Sequence, residues 1–437
     1  MLSLRSSVRI ALVPALSIAF VASAMAQTGV IAVKAARLFD GRTRTLIPNG
    51  VVIVEGKTIT AWESNLRIPE GAQVIDLGDA TISPGFMDAH THLTFDGSVG
   101  HKESILQDLQ TEVPKKAYDA LVFARKTIEA GFTTVRDVGA GDFIDVAMRD
   151  AIASGTVVGP RMLVATMGIG ATGGHFDPSN GFTHELFGKQ PGWENGIADG
   201  PEEVRKAVRF EVKNGADVIK ASVSGGVLSL KDEVDVPQMT PAEIAALVEE
   251  SHRLRKKVAV HCHGDTAARD AINAGVDTIE HGSFLKPETL GLMKTKGVAL
   301  VATLNATEFI MGKLEQYPPE IQEKAKAAAA ARSEMFRNAL KAGVRIGFGT
   351  DAGVFPHGEN AKEFSLMTGL GMEPIAALIA ATQGNAQLFG IADKVGTIEK
   401  GKLADIIALA GDPLQDITAT ERVIFVMKEG KIIKNGR

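Results

Sequence analysis

The sequence predicts an α/β fold: a (β/α)8 TIM barrel with a small β-sandwich domain built from both chain ends. In the middle of the chain, a short apolar segment followed by a helical segment recurs eight times. Short β-like segments separated by turn residues cluster near both ends. Eight strand-then-helix units favour a closed parallel barrel over a doubly wound sheet.

The predicted strands of the barrel are apolar runs at 82–89, 133–138, 161–166, 217–221, 258–261, 278–280, 298–302 and 345–349. The clearest predicted helices lie at 117–130, 201–214, 241–256 and 320–342. Thr240-Pro241 is a typical helix start, with a capping residue before a proline. The longest connection runs between Thr166 and Gly200, and its length and glycine content predict a loop over the barrel mouth.

The first residues resemble an export signal. Arg5 and Arg9 give a basic start, Ile10 to Val21 is a short apolar stretch, and Ala24-Met25-Ala26 is a small-residue cleavage site. A membrane anchor is the competing interpretation, but the stretch is short for a span of about 20 residues. We therefore expect a mature protein that starts near Gln27 and is secreted or periplasmic, with no membrane association after the signal is removed.

The resulting domain organisation has four segments. They are a signal peptide at 1–26, the first part of the β domain at 27–82, the (β/α)8 barrel at 83–395 and the second part of the β domain at 396–437. The net charge of −5 is spread along the chain and gives no indication of nucleic-acid binding. Cys262 is the single cysteine, so no internal disulfide can form.

A pair of histidines carries the most specific chemical signal. His90 and His92 stand two residues apart at the end of a predicted strand, so their imidazoles point to the same side. Each of four later residues follows or ends another predicted strand: Lys220, His261, His281 and Asp351. Strand ends of a barrel share one mouth, so the six residues predict a two-metal hydrolase site. Individually, each has a structural alternative, such as a hydrogen-bonded histidine, a turn-capping aspartate or a salt-bridged lysine.

Other polar residues near the strand ends are candidates for substrate contact. His263 lies two residues beyond His261, and His175 follows two glycines in the long loop. The turn containing Ser224 and Gly225 follows Lys220 and is a candidate anion site. Arg136-Asp137 is either a salt bridge or a pair that supports the metal ligands, and the roles of His101, His184 and His357 stay open. Cys262 is expected to be a buried structural thiol, because it faces away from His261.

These motifs resemble the amidohydrolase superfamily. The resemblance rests on Pro84 to His92, Lys220, His261, Glu280-His281-Gly282 and Thr350-Asp351, and it spans most of the mature chain. Further segments are similar to the subgroup of imidazolonepropionase-like proteins and Xaa-Pro dipeptidases, which includes ochratoxin-hydrolysing amidohydrolases. They are Gly131 to Asp137, Thr172 to His175, Ser224 to Val227 and His261 to Gly264.

The resemblance implies a cofactor arrangement. Lys220 would be carboxylated and bridge two divalent metal ions, for which Zn²⁺ suits an imidazole-rich site. His90, His92 and Asp351 would hold one ion, and His261 and His281 the other. A hydroxide bridging the ions would attack an amide, and Asp351 would pass its proton to the leaving nitrogen. The resemblance also implies a homo-oligomer, with an octamer as one candidate.

The expected reaction is hydrolysis of the amide bond to a C-terminal amino acid, as in a carboxypeptidase or dipeptidase. The expected substrate is a small, dipeptide-like molecule with a free carboxylate, including N-acyl amino acids such as ochratoxin A. Two alternatives stay open. The same site could act on a lactone, cyclic amide or phosphotriester, or the chain could be a non-catalytic binding relative. The second alternative conflicts with the presence of all six ligand residues.

Overall fold

The computed structural model describes residues 29–436, so the predicted signal peptide lies outside the described residues. The strands are β1 (Val30–Leu38), β2 (Ile47–Glu55), β3 (Thr58–Ser64), β4 (Gln73–Asp76), β5 (Ala80–Pro84), β6 (Phe86–Thr91), β7 (Phe132–Asp137), β8 (Arg161–Val164), β9 (Val218–Ser222), β10 (Lys257–Cys262), β11 (Thr278–His281), β12 (Ala299–Val301), β13 (Ile346–Gly347), β14 (Ile406–Ala410), β15 (Val423–Lys428) and β16 (Lys431–Asn435).

The α-helices are α1 (His101–Gln110), α2 (Val113–Glu129), α3 (Ile144–Ala153), α4 (Pro201–Lys213), α5 (Pro241–Arg253), α6 (Asp265–Ala274), α7 (Pro287–Lys296), α8 (Leu304–Gly312), α9 (Pro319–Ala342), α10 (Lys362–Gly369), α11 (Pro374–Ile379) and α12 (Asn385–Phe389). Residues 29–436 contain no helix with the length and apolarity that a membrane crossing requires.

Both chain ends contribute to one eight-stranded sheet. Its order is β16-β15-β14-β5-β1-β2-β3, with β4 paired to β1. The antiparallel pairing of β5 with β14 joins the two ends, and it places Pro84 opposite Ile406. The predicted pairing of the chain ends is therefore confirmed, whereas a sandwich of two such layers stays a prediction.

The eight strands predicted in the middle of the chain all form, in two parallel sheets. One sheet has the order β6-β7-β8 and the other β9-β10-β11-β12-β13. Backbone hydrogen bonds cross from each sheet to the other at both edges. The N–H of Asp351 donates to the carbonyl of His90 at 2.7 Å, and the N–H of Ile169 donates to that of Lys220 at 2.9 Å. The carboxyl ends of the parallel strands consequently face the same side.

The first predicted strand, at 82–89, is in fact two strands. Gly85 separates β5, which joins the eight-stranded sheet, from β6, which pairs with β7. A Cβ atom at Gly85 would lie 2.1 Å from the hydroxyl of Thr133. The chain can pass from one sheet to the other here because glycine has no side chain.

Local sequence signals account for the packing of helices on these strands. Thr240 begins α5 with a reciprocal capping box: its hydroxyl accepts from the N–H of Glu243, and its N–H donates to the Glu243 carboxylate at 2.7 Å. The apolar runs of β9 and β10 are buried on both faces, as in parallel strands covered by helices. This packing fixes the strand ends that carry the site residues.

One buried ion pair connects the two parts of the fold. Arg161, on β8, donates to Asp405 at 2.6 Å and to Glu429 at 2.9 Å, and both acids belong to the C-terminal part of the chain. The Asp405 side chain is 3% exposed. Its other carboxylate oxygen accepts a hydrogen bond from the N–H of Glu429. Removing the Asp405 carboxylate leaves the partly buried Arg161 with Glu429 alone, and it leaves the N–H of Glu429 without its acceptor.

We therefore expect Asp405→Ala to lower the free energy of unfolding by about 3 kcal/mol, measured by thermal and urea unfolding. Lys57→Ala is the matched control, because its ion pair with the same Glu429 is exposed and is worth at most about 1 kcal/mol. Equal effects of the two substitutions would contradict the proposed coupling between the two parts.

Candidate metal centre and active site

Three of the predicted ligands meet at the strand ends. The Nε2 atoms of His90 and His92 lie 3.5 Å and 3.3 Å from Oδ1 of Asp351. One ligand atom from each of the three residues lies within 4.8 Å of the others. These side chains come from β6 and from the segment directly after β13, two strands that are distant in sequence but adjacent in the fold.

The other predicted ligands continue the same cluster. The His281 ring lies 4.9 Å from the His90 ring and 4.6 Å from the His261 ring, measured between centroids. Lys220 lies on β9, beside the strand that carries His261. All six predicted ligands line one cavity of about 260 Å³.

Hydrogen bonds to the outer side of each imidazole set which nitrogen faces the cavity. Nδ1 of His90 lies 2.8 Å from the Glu280 carboxylate, and Nδ1 of His92 lies 3.0 Å from the carbonyl of Gly139. Both partners accept only, so in the neutral ring each Nδ1 carries the proton and each Nε2 keeps a lone pair. His261 is reversed, because its Nε2 faces the Gly225 carbonyl at 3.2 Å and its Nδ1 has no hydrogen-bond partner within residues 29–436.

Burial lowers the pKa of His261 and of His281 well below the usual range, which keeps both rings neutral. The Nδ1 of His281 is oriented by the hydroxyl of Thr303 at 2.7 Å. Neutral imidazoles with free lone pairs and one carboxylate are the donor set that divalent transition metals prefer. The residues present therefore fit the metal site that the sequence predicts.

Lys220 is the unusual member of the cluster. Its side chain is fully buried, yet Nζ has no hydrogen-bond partner among the described residues. Burial lowers the pKa of Lys220 to about 8, although Glu280 and Asp351 raise it. An unpaired buried polar group is costly, so this amine requires a partner that the protein chain alone does not supply.

Glu280 and Arg136 form a buried pair that supports His90. The Arg136 guanidinium donates to Glu280 at 2.7 Å and to the carbonyl of Ala89 at 2.6 Å. Burial would raise the pKa of Glu280, but Arg136 and His90 hold it at about 2. The alternative that Arg136 pairs with Asp137 is wrong, because adjacent strand residues face opposite sides and Asp137 accepts from the N–H of Leu93.

Three residues around the cluster have a left-handed backbone. His281, Asp351 and Thr303 have φ angles of 69°, 65° and 48°. Such conformations cost about 1–3 kcal/mol each outside glycine and occur preferentially at functional sites. Here they turn the side chains at the ends of β11, β12 and β13 into the cavity. Glu280 stood in a motif of the sequence without an assigned role, and no sequence signal identified Thr303 or this strain in advance.

Two of the predicted substrate contacts line the cavity and two do not. His263 stacks on His281, with 5.0 Å between centroids, and His175 stacks on His261 at 4.2 Å. The Ser224 hydroxyl accepts from the N–H of His263, and the Gly225 N–H donates to Val236. Ser224 and Gly225 therefore build the wall behind the cavity, and their polar groups are engaged by the protein.

The remaining candidate histidines lie outside the cavity lining. His101 packs on Tyr317, His357 contacts the carbonyl of Phe95, and His184 contacts Gln190 on the surface. Cys262 is fully buried and its thiol donates to the carbonyl of Gly264. Burial raises the pKa of this thiol to about 12, consistent with the predicted structural role.

Apolar side chains also line the cavity. They belong to Phe95, Phe176, Val227, Leu228, Ala306, Ile310 and Val354. Phe176 comes from the long loop between Thr166 and Gly200, so this loop contributes to the cavity as predicted. Lys220 is the one basic residue other than histidine in the lining. The cavity thus combines polar side chains that fit a metal ion with apolar side chains.

A parallel α/β fold that gathers four imidazoles, a carboxylate and a buried lysine at its strand ends is typical of metal-dependent hydrolases. The chain belongs to the Amidohydrolase family, whose signature matches residues 81–433. This match and the relatives described next identify it as a hydrolase that acts on amide bonds.

The ochratoxinase of Aspergillus niger is 35% identical over 408 residues, which cover 88% of this chain and 83% of that protein. The crystal structure of a Xaa-Pro dipeptidase with bound methionine has a TM-score of 0.89 and 39% identity, and it covers 92% of this chain and 99% of that chain. A prolidase complexed with N-methylphosphonate-L-proline has a TM-score of 0.83 and 28% identity, over 93% of this chain and 100% of that chain.

Loss of the Glu280 carboxylate should weaken metal binding without removing any direct ligand. We expect Glu280→Gln to reduce the affinity for Zn²⁺ by about 10–100-fold, because the single amide oxygen of glutamine cannot accept from both His90 and Arg136. Calorimetric titration of the metal-free protein measures this affinity. Glu288→Gln, in an exposed turn of α7, is the control and should bind as the wild type does. Unchanged affinity in Glu280→Gln would contradict the assigned support.

Proposed function

We propose that the chain is a binuclear metal-dependent amidohydrolase that releases a C-terminal amino acid from an N-acyl amino acid or a dipeptide. One observation carries this proposal: the Lys220 amine is buried with no hydrogen-bond partner in the described part of the chain, in a cavity lined by four metal-competent imidazoles and Asp351. Carboxylation of Lys220 would replace the unpaired amine with an anion that has two ligand oxygens. This anion would supply negative charge between the two groups of proposed metal ligands.

The two halves of the cluster would hold one ion each. His90, His92 and Asp351 converge on one position, and His261 and His281 face another. A carboxylated Lys220 would join them, and Zn²⁺ suits this donor set best. When bound, the two ions would polarise the substrate carbonyl and activate a water molecule.

Asp351 has the geometry for proton transfer. Its Oδ1 lies close to the two histidines of β6, whereas its Oδ2 has no hydrogen-bond partner among the described residues. Asp351 also lines the cavity. The free oxygen can accept a proton from the attacking water and deliver it to the leaving nitrogen. An amide requires this proton, because an unprotonated amine anion is a very poor leaving group.

The substrate assignment is supported by the cavity and by the relatives. An apolar wall suits an apolar or aromatic side chain next to the scissile bond. One similar structure holds methionine, another holds a phosphonate analogue of a prolyl compound, and a third relative is named an ochratoxinase. His263 is suited to the free carboxylate, because its partner Ser283 can accept from Nδ1 or donate to it. Its Nε2 can therefore carry the proton.

Three further expectations belong to this proposal. The hydrogen bonds between the two parallel sheets support a closed (β/α)8 barrel. Export to the periplasm or the medium follows from the N-terminal sequence, and a homo-oligomer, of which an octamer is one form, follows from the subgroup resemblance. Size-exclusion chromatography with light scattering and N-terminal sequencing of the exported protein check the last two.

Metal content and activity test the proposal together. We expect about two metal ions per chain in the wild type, and loss of both bound metal and activity in Lys220→Ala, by at least about a hundredfold. The substrate panel contains N-acyl amino acids, dipeptides and ochratoxin A, each beside its C-terminal amide. Lys296→Ala, at an exposed position, should match the wild type.

One metal ion or none, with Lys220→Ala still active, would contradict the bridging role of Lys220. Equal activity on the C-terminal amides would contradict the need for a free carboxylate. A panel of lactones, cyclic amides and phosphotriesters separates the alternative reaction classes, since the proposed enzyme should prefer the acyl amino acids.

A further inference from the structure

Contacts to both its ring and its backbone fix the position of His175 on the cavity wall. Its ring stacks on His261 and rests against the backbone of Gly226. A Cβ atom at Gly226 would lie 2.2 Å from both Cε1 and Nδ1 of the ring, so no other residue fits there. The N–H of His175 donates to the side-chain carbonyl of Gln238 at 2.8 Å. Both the ring and the backbone of His175 are therefore fixed.

The outer edge of the ring contacts Ser229. The Nδ1 atom lies 2.8 Å from the Ser229 hydroxyl oxygen, which in turn lies 2.8 Å from both carboxylate oxygens of Asp232. The other polar neighbour of this hydroxyl is the carbonyl of Gly226 at 3.3 Å. These neighbours only accept hydrogen bonds, so the Ser229 hydroxyl must donate to one of them. It cannot also donate to the imidazole, and Nδ1 must therefore be the protonated nitrogen.

Asp232 is itself anchored from several directions. Lys324, on α9, donates to Oδ1 at 2.8 Å and also to the carbonyl of Ser229 at 2.6 Å. The side-chain amide of Gln238 donates to Oδ2 at 2.9 Å, and the N–H of Gly226 donates to it at 3.2 Å. The Lys324 and Asp232 side chains are 7% and 4% exposed. A buried ion pair of this kind favours one arrangement of its partners.

The inner edge of His175 faces the cavity. Its Nε2 has no hydrogen-bond partner among the described residues, and the residue lines the cavity. With the proton on Nδ1 of the neutral ring, Nε2 offers a lone pair and no donor. His175 can therefore accept a hydrogen bond from a substrate N–H, but it cannot donate one to a carbonyl or carboxylate.

We propose that Ser229, Asp232 and Lys324 are positioning residues that hold His175 in the Nδ1–H tautomer, so that Nε2 accepts a hydrogen bond from the N–H of a secondary amide substrate. This inference rests on the proposed function for the identity of the substrate. Within that function, it predicts that the His175 contact favours hydrolysis of amides that carry an N–H over hydrolysis of esters of the same acid. The tautomer itself depends on the hydrogen bonds alone.

The tautomer is measured directly by NMR of the metal-free, ¹⁵N-histidine-labelled protein. His175→Gln assigns the His175 signals. We expect one Nδ1–H signal in the wild type, and a shift to the Nε2–H form or a mixture in Ser229→Ala. Ser229→Thr, which keeps the hydroxyl, should restore the wild-type spectrum. Ser283→Ala is the matched control, because it removes the equivalent partner of His263 and should leave the His175 signals unchanged.

Kinetics test the contact with the substrate. The probes are an N-acyl phenylalanine and the ester in which oxygen replaces the amide nitrogen. In the metal-loaded enzyme, we expect Ser229→Ala and Asp232→Asn to lower kcat/KM for the amide by about tenfold and to leave the ester within about twofold. The amide-to-ester ratio is the readout, because a general loss of folding or of metal would lower both.

An Nε2–H tautomer in the wild type, or an unchanged tautomer in Ser229→Ala, would overturn the positioning role. Equal losses for amide and ester, or no loss for either, would overturn the contact with the amide N–H. A wild-type enzyme that hydrolyses neither probe would contradict the proposed function, and the NMR measurement would still decide the tautomer.

Discussion

The rest of the site depends on the burial of one lysine. Lys220 is fully enclosed and its amine has no hydrogen-bond partner among the described residues, while four imidazoles and a carboxylate share its cavity. Removing an ionised amine from water without a partner costs several kcal/mol. Lys220 lies within the cluster, so this free-energy cost must be offset by a group that binds to its amine. Carboxylation and two metal ions would turn an unfavourable group into a ligand.

A shell of hydrogen bonds behind the ligands gives the cluster its geometry. Glu280 and Arg136 fix the ring of His90, and the hydroxyl of Thr303 fixes that of His281. The left-handed backbone at His281 and Asp351 stores strain that the surrounding core must balance. The network from Lys324 to His175 would perform the same task for the proposed substrate contact. The site is therefore oriented by residues that never touch the reacting atoms.

Sequence reasoning identified the strands and the six polar residues that the fold gathers in one cavity, because both leave local signals. His90, His261 and Asp351 each follow a short apolar run, and such a run predicts a strand whose end reaches the barrel mouth. The supporting residues could not be found this way. The partner of Arg136 is Glu280, far along the chain, and not its neighbour Asp137. Ser224 and Gly225 have the composition of an anion-binding turn, but tertiary contacts engage their polar groups. Partner choice across strands depends on tertiary geometry, which local patterns do not encode.

The proposed site requires a carboxyl group on Lys220. Solid-state or solution ¹³C NMR of enzyme reconstituted with Zn²⁺ in ¹³C-bicarbonate tests this requirement most directly. We expect one carbamate carbon signal per chain, which disappears in Lys220→Met and in protein prepared without metal. A metal-loaded, active enzyme with no carbamate signal, or a signal that persists in Lys220→Met, would contradict this requirement and leave the buried amine without the partner assigned to it.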